Sequence, residues 1–212
     1  WTKRIKHPSE LYKKGQEVPV EGTPPADGQG GPDQFGYRWI DSDEPGGPVY
    51  EWIEISDVGA VAGSGDDGNY GPFDLGFAFP YYGVFYDQVR ICTNGWISFT
   101  STSTTYSNQA IPNTSAPNHI IAPFWDDLNP STSNGAIYYH HDEAGGRFIV
   151  EWDAINHYPS SDPETFQVIL YPDGRIVYQY ADVRMGTSCT VGIENLDGTD
   201  GLQMVYNAPY LH

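Results

Sequence analysis

Residues 76–99 read GFAFPYYGVFYDQVRICTNGWISF, and this stretch leaves few folds open. Phe77 and Phe79 alternate with small residues, Pro80-Tyr81-Tyr82-Gly83 makes a turn, Val89 and Ile91 recur at period two, and Asn94-Gly95 precedes Trp96, Ile97 and Phe99. Apolar alternation punctuated by Pro-x-x-Gly and Asn-Gly specifies strand, turn, strand, tight turn, strand. A second stretch, residues 118–128 (NHIIAPFWDDL), is a short apolar run ending in two carboxylates. It predicts a buried strand that delivers Asp126 and Asp127 to the rim of a sheet.

The rest of the chain repeats this grammar. Strand candidates lie at 37–40, 50–55, 136–141, 147–153, 164–171, 175–180, 190–194 and 202–206. Pro172-Asp173-Gly174 is the clearest hairpin signal, and it places Phe166, Val168 and Leu170 on one face of its first strand and Ile176, Tyr178 and Tyr180 on one face of its second. Residues 100–108, polar and β-branched, read as a surface loop. No window carries an apolar stripe at i, i+3, i+4, i+7 over three turns, and with Gly 24 and Pro 17 the chain favours strands and turns. The expected fold is all-β, an antiparallel β-sandwich of about ten to twelve strands with an extended N-terminal arm.

Two regions are expected. Residues 1–35 form a basic arm and a Gly/Pro-rich linker; residues 36–212 form the sandwich. The charge divides the same way. Lys3, Arg4, Lys6, Lys13 and Lys14 are half of the ten basic residues, so against Glu10 the first fourteen residues carry +4, which leaves −22 for the remainder of a chain whose net charge is −18. Such a body repels nucleic acid and anionic lipid, and no apolar run is long enough to insert in a membrane. It attracts cations or its own arm, so those five basic residues are candidates for assembly, the arm pairing with a sheet edge of a neighbouring copy to build a filament or surface layer.

The motifs together resemble the nidogen-like extracellular domain. Phe79-Pro80-Tyr81-Tyr82-Gly83, Thr93-Asn94-Gly95, Ile97-Ser98-Phe99 and Ile121-Ala122-Pro123-Phe124-Trp125-Asp126-Asp127 follow that family's pattern in order, over roughly residues 70 to 206. The resemblance implies a β-sandwich in a secreted or surface protein, of bacterial origin, working in adhesion or matrix contexts, with no reaction attached. Starting at Trp1, the chain reads as a processed or excised piece of an exported protein.

Candidate sites follow from residue chemistry. No nucleophile elbow, zinc-protease helix, C-x-x-C or phosphate loop occurs, and Asp126 and Asp127, as strand neighbours, point to opposite faces and cannot flank one bond, so the chain is expected not to be an enzyme. Calcium is the expected ion. Its candidate ligands are Asp41, Asp43 and Glu44; Asp66, Asp67 and Asn69; Asp197 and Asp200; and Asp126 with Asp127, for which Arg147 is an alternative partner. Tyr81, Tyr82, Tyr138 and Tyr139 are candidates for a glycan platform, which would make the chain a carbohydrate-binding module of a secreted hydrolase instead of a structural or adhesive unit. Cys92 and Cys189 are the one available disulfide pair, although Val191 and Ile193 place Cys189 toward the core while Val89 and Ile91 place Cys92 away from it.

Overall fold

A computed structural model of the chain describes residues 28–209 apart from Met185. The arm residues Lys3, Arg4, Lys6, Lys13 and Lys14 lie outside the described residues. The described chain contains fourteen strands and no α-helix: β1 (Gln29–Gly30), β2 (Trp39–Ile40), β3 (Ala60–Gly63), β4 (Asn69–Tyr81), β5 (Val84–Cys92), β6 (Trp96–Ser98), β7 (Ile120–Trp125), β8 (Leu128–Asn129), β9 (Ile137–Asp142), β10 (Arg147–His157), β11 (Pro163–Leu170), β12 (Ile176–Asp182), β13 (Thr190–Glu194) and β14 (Gly201–Tyr206). They form two six-stranded antiparallel sheets. One has the order β12-β11-β10-β9-β3, with β8 also paired to β10; the other runs β14-β13-β7-β6-β5-β4; β1 and β2 pair separately.

Register explains why the alternation was readable. Ile91 pairs with Ile97, Ile97 with Ile121 and Ile121 with Ile193, so one row of isoleucines crosses four strands and all four side chains face the opposite sheet. From the facing sheet Trp152 pairs with Phe166 and stacks on it at 4.9 Å, and Phe166 meets Phe124 of the other layer at 5.1 Å. Phe166, Val168 and Leu170 share the core face as expected, and Ile176, Tyr178 and Tyr180 pack against it. Each such side chain contributes about 1.5–3 kcal/mol through burial, and together they supply the core of a leucine-poor chain.

Each sheet also has a covered outer face. Residues 50–55, expected as a strand, are extended but unpaired with any strand; they cross the outer face of the first sheet, clamped by glutamine amides. Gln179 accepts from Glu51 N at 2.8 Å and donates to Glu51 O at 2.7 Å, while Gln167 donates to Ile53 O at 3.1 Å. Ile55 completes a small cluster with Ile149 and Ile169 beneath this strap.

Residues 99–119 cross the other sheet. Although residues 100–108 were expected to be a plain surface loop, Thr105 O accepts from both Trp96 Nε1 and Trp125 Nε1, at 3.4 and 3.0 Å, and the strap seals a second cluster of Cys92, Trp96, Ile111, Ile120, Ala122 and Trp125. The strap works because two indoles on an outward face need one acceptor, and an irregular backbone supplies it.

The sandwich has two open sides. On one, Phe73 of β4 stacks on Tyr139 of β9 at 4.2 Å and closes the gap between the sheets. On the other, between edge strands β12 and β14, a groove of about 600 Å³ remains, walled on its third side by residues 37–42 and 46–50. The end of the Gly/Pro-rich stretch is joined to the body: both carboxylate oxygens of Asp200 accept from the chain at 34–35, at 3.0 and 2.9 Å, and Phe35 lies against Tyr37 and Tyr82.

Candidate functional site

The chemistry-bearing residues gather where β7 ends, at one end of the sandwich. Thr93-Asn94-Gly95 joins β5 to β6 there and organises its surroundings. Thr93 N donates to Gly68 O at 2.9 Å and its hydroxyl accepts from Gly68 N at 2.8 Å, which fixes the acidic loop before β4. The fully buried Asn94 donates to Asp67 Oδ1 at 3.0 Å and Thr104 O at 3.1 Å, and accepts from Leu128 N at 2.9 Å. Gly95 has φ +75, and a Cβ there would meet Phe124 O at 1.7 Å, so the third motif position must be glycine.

These clamps carry Asp66 and Asp67 to Asp127. One carboxylate oxygen from each lies within 4.8 Å of the others, with Asp66 exposed and Asp127 buried. Oxygen ligands about 2.3–2.6 Å from a calcium ion lie up to about 4.6–5.2 Å apart, so the three oxygens are close enough together to share one ion. Asn69, expected with them, is turned away and accepts from Arg90 Nε at 2.8 Å.

Asp126 points elsewhere. Its Oδ2 accepts from Ser188 Oγ at 2.7 Å and faces His157 Nε2 at 3.1 Å, all three residues being buried, while Oδ1 accepts from Asp127 N. Arg147 is not its partner; that guanidinium pairs with Asp142 at 2.8 Å. Burial pulls the His157 pKa down, but the Asp126 hydrogen bond together with Glu164 and Asp127 outweighs it, and the value ends above the ordinary one.

Serine, histidine and aspartate in contact invite comparison with a catalytic triad, and the geometry refuses it. In a triad the acid holds Nδ1 and the hydroxyl gives its proton to Nε2. Here hydroxyl and Nε2 both address one carboxylate oxygen, Ser188 Oγ lies 3.4 Å from Nε2, and His157 Nδ1 has no hydrogen-bond partner among the described residues. The group holds β7, β10 and the segment before β13 together. Sequence reasoning missed it because Ser188 and His157 carry no local motif; the paired carboxylates closing an apolar strand were the available signal.

The remaining candidates are placed as follows. Asp41 Oδ1 accepts from Asp43 N, Glu44 accepts from Gly28 N, and Asp197 Oδ1 accepts from the Thr199 hydroxyl, so these acids and Asp200 tie down loops at separate places. The four tyrosines do not form one exposed platform. Tyr81 is fully buried, its hydroxyl donating to Ile120 O at 2.7 Å; Tyr82 donates to Asp33; Tyr138 packs beside Ile55; Tyr139 stacks on Phe73. Period two from Phe79 puts Tyr81 on the core side.

The expected disulfide does not form in the structure. Cys92 and Cys189 are both free thiols, the first in the strap-covered cluster and the second in the core between the sheets, and burial raises the pKa of each. Opposite faces of a sheet separate them, as their neighbours had indicated.

Comparison with known proteins adds a family. A family model described as NIDO related matches residues 48–212. Alpha-tectorin of mouse is 26% identical over 166 residues, and the human and chicken proteins 25%. Each alignment covers 65% of this chain but only 8% of the relative, so the chain spans a small part of those proteins' length. These relatives are vertebrate, and the expected bacterial origin finds no support in them. No solved structure matches.

Proposed function

The chain belongs to the NIDO-related family, and from that premise we propose that it is a non-catalytic structural or adhesive module of an extracellular protein. The observation that carries this reading is the use made of the polar groups: Asp126, His157, Ser188 and Asn94 are buried and committed to joining strands and loops. No helix among the described residues is long and apolar enough to cross a membrane. The nidogen-like motifs and the similarity to alpha-tectorins support an extracellular setting, and other copies or matrix proteins are the partners we propose. Assaying the purified chain on chromogenic glycosides, esters and peptides should give no turnover; a turnover lost in Ser188→Ala or Asp126→Asn would overturn the reading.

Self-assembly through the basic arm is the finer part of the proposal. It is supported by the split of charge, +4 over fourteen residues against an acidic remainder. Light scattering on the full chain and on a chain lacking residues 1–22 tests it, with a loss of mass per particle expected on deletion. Calcium held by Asp66, Asp67 and Asp127 is the second finer part, supported by their convergence.

A further inference from the structure

Asn113-Thr114-Ser115 is an Asn-x-Ser triplet in which x is not proline, the acceptor pattern for an N-linked oligosaccharide. Among the other asparagines only Asn129 is followed two residues on by serine or threonine, and there Pro130 breaks the pattern and the asparagine is buried. The triplet lies in the strap of residues 99–119, where the fold fixes the backbone and leaves the side chains at the surface. Ile111 N donates to Gln203 Oε1 at 3.0 Å, Asn113 N donates to Glu194 Oε1, and Ser115 O accepts from Gln109 Nε2 at 2.7 Å. The β13–β14 loop abuts the same stretch, so closely that a Cβ at Gly198 would collide with Asn113 O. Pro112, Thr114 and Ala116 are nevertheless exposed, and Asn113 and Ser115 are half-buried.

The two halves of the Asn113 amide have different fates. Its Oδ1 accepts from Ser115 N at 3.0 Å, the turn that asparagine makes with the backbone two residues on. Its Nδ2 has no acceptor among the described residues and is open to water. By contrast Asn69, Asn94, Asn108 and Asn156 each spend Nδ2 on a backbone carbonyl. Ser115 uses its N–H and its carbonyl, and its hydroxyl bonds to no described residue.

We propose that Asn113 is a glycosylation site, carrying one N-linked oligosaccharide beside the β13–β14 loop. The proposal rests on the extracellular reading above, because the transfer takes place in the export compartment of a eukaryotic cell. The donor is a lipid-linked oligosaccharide diphosphate. Asn113 Nδ2 forms a bond to the anomeric carbon of the first sugar, the bond from that carbon to the phosphate oxygen breaks, the lipid diphosphate leaves with the electron pair, and one Nδ2 proton is released. Oδ1 remains a carbonyl oxygen, so the turn to Ser115 N survives. The linkage consumes only the atom that the fold leaves unused. The attached sugar would stand beside a loop whose Leu196 is exposed, and would hold other chains off that corner of the sandwich.

The test expresses the full chain behind an export signal in cultured eukaryotic cells and analyses both the pool inside the cells and the pool in the medium. The native chain should migrate one glycan heavier than the same chain made in a bacterial cytosol. Peptide N-glycosidase, which converts the carrying asparagine to aspartate, should abolish the difference and mark position 113 in the peptide map. Ser115→Ala should lose the shift completely, and Ser115→Thr should retain it. Neither substitution removes a hydrogen bond of the fold, so both variants made in the bacterial cytosol should melt with the native chain, which separates loss of the site from loss of the structure. A native chain unmodified in both pools, or a shift that persists in Ser115→Ala, overturns the inference. A chain that carries the glycan but stays inside the cell would keep the site and count against the extracellular reading, whereas a secreted chain without the glycan would do the reverse.

Discussion

Glu151 and Glu194 are each about 1% exposed, and burial lifts the pKa of both to about 8, with Glu54 and Asp153 adding to the effect at Glu151. Each lies beneath a strap: Glu151 on the outer face of β10 under residues 50–55, Glu194 at the end of β13 accepting from Asn113 N of the other strap. Below about pH 4.5 these carboxyls are protonated in both the folded and the unfolded chain, so they cost nothing. Between there and pH 8 the unfolded chain loses the proton first, and stability falls as pH rises, levelling off above the folded value. His157, whose pKa is raised, adds to the fall above its ordinary value; His119, pushed down to about 4 by burial, opposes it on the acid side. Glu151→Gln isolates the carboxyl. Its melting temperature should match the native chain near pH 4.5 and exceed it at pH 8.5 by on the order of 2 kcal/mol, roughly 4–8 °C. Scanning calorimetry across that range checks this, and a constant offset at all pH values would refute the assignment. Asn94→Ala should act in the opposite sense at every pH, by about 3 kcal/mol, because it leaves Leu128 N and Thr104 O without their partner.

The strands were legible in the sequence, and the straps were not, for one physical reason. A strand writes its burial into a period of two, so β4 to β7 and the hairpins of β9 to β12 are found from residues such as Phe79, Val89 and Ile97. A strap is held by side chains elsewhere in the chain. Residues 50–55 alternate like a strand and are extended like one, but their partners are the amides of Gln167 and Gln179, more than a hundred residues away. Residues 100–105 lack large apolar groups because Trp96 and Trp125 supply the apolar surface and Thr105 only its carbonyl. The candidate site was half legible: Asp66, Asp67 and Asp127 were all singled out, yet in separate groups, since only the turn at Thr93-Asn94-Gly95 shows that 66–67 and 127 meet. If the glutamines are the clamps, Gln179→Ala should raise hydrogen exchange at 51–53 severalfold while costing about 1 kcal/mol or less in global stability. An equal loss of protection across β10 and β11 would instead mean that Gln179 supports the whole sheet.

At the scale of the whole molecule the dominant fact is charge. A net −18 on 212 residues repels itself, so any cation should stabilise the folded chain by screening alone, and a calcium effect proves nothing until this is removed. The geometry provides the distinction. Screening depends on ionic strength and spreads over the surface, whereas a site at Asp66, Asp67 and Asp127 depends on three oxygens within 4.8 Å of one another, one of them on a buried residue. At fixed ionic strength, millimolar calcium should therefore raise the melting temperature, and magnesium, which demands tighter octahedral geometry, should raise it less. Stabilisation should grow with the logarithm of calcium concentration above the dissociation constant, because only the folded chain assembles the three ligands. Asp127→Asn should remove that dependence and Asp200→Asn should leave it intact, since the Asp200 carboxylate serves the backbone at 34–35. Sodium chloride reproducing the whole shift, or an Asp127→Asn chain that responds like the native one, would reduce the acidic trio to a screened cluster. The sandwich would then rest on its two layers, its straps and Asn94 alone.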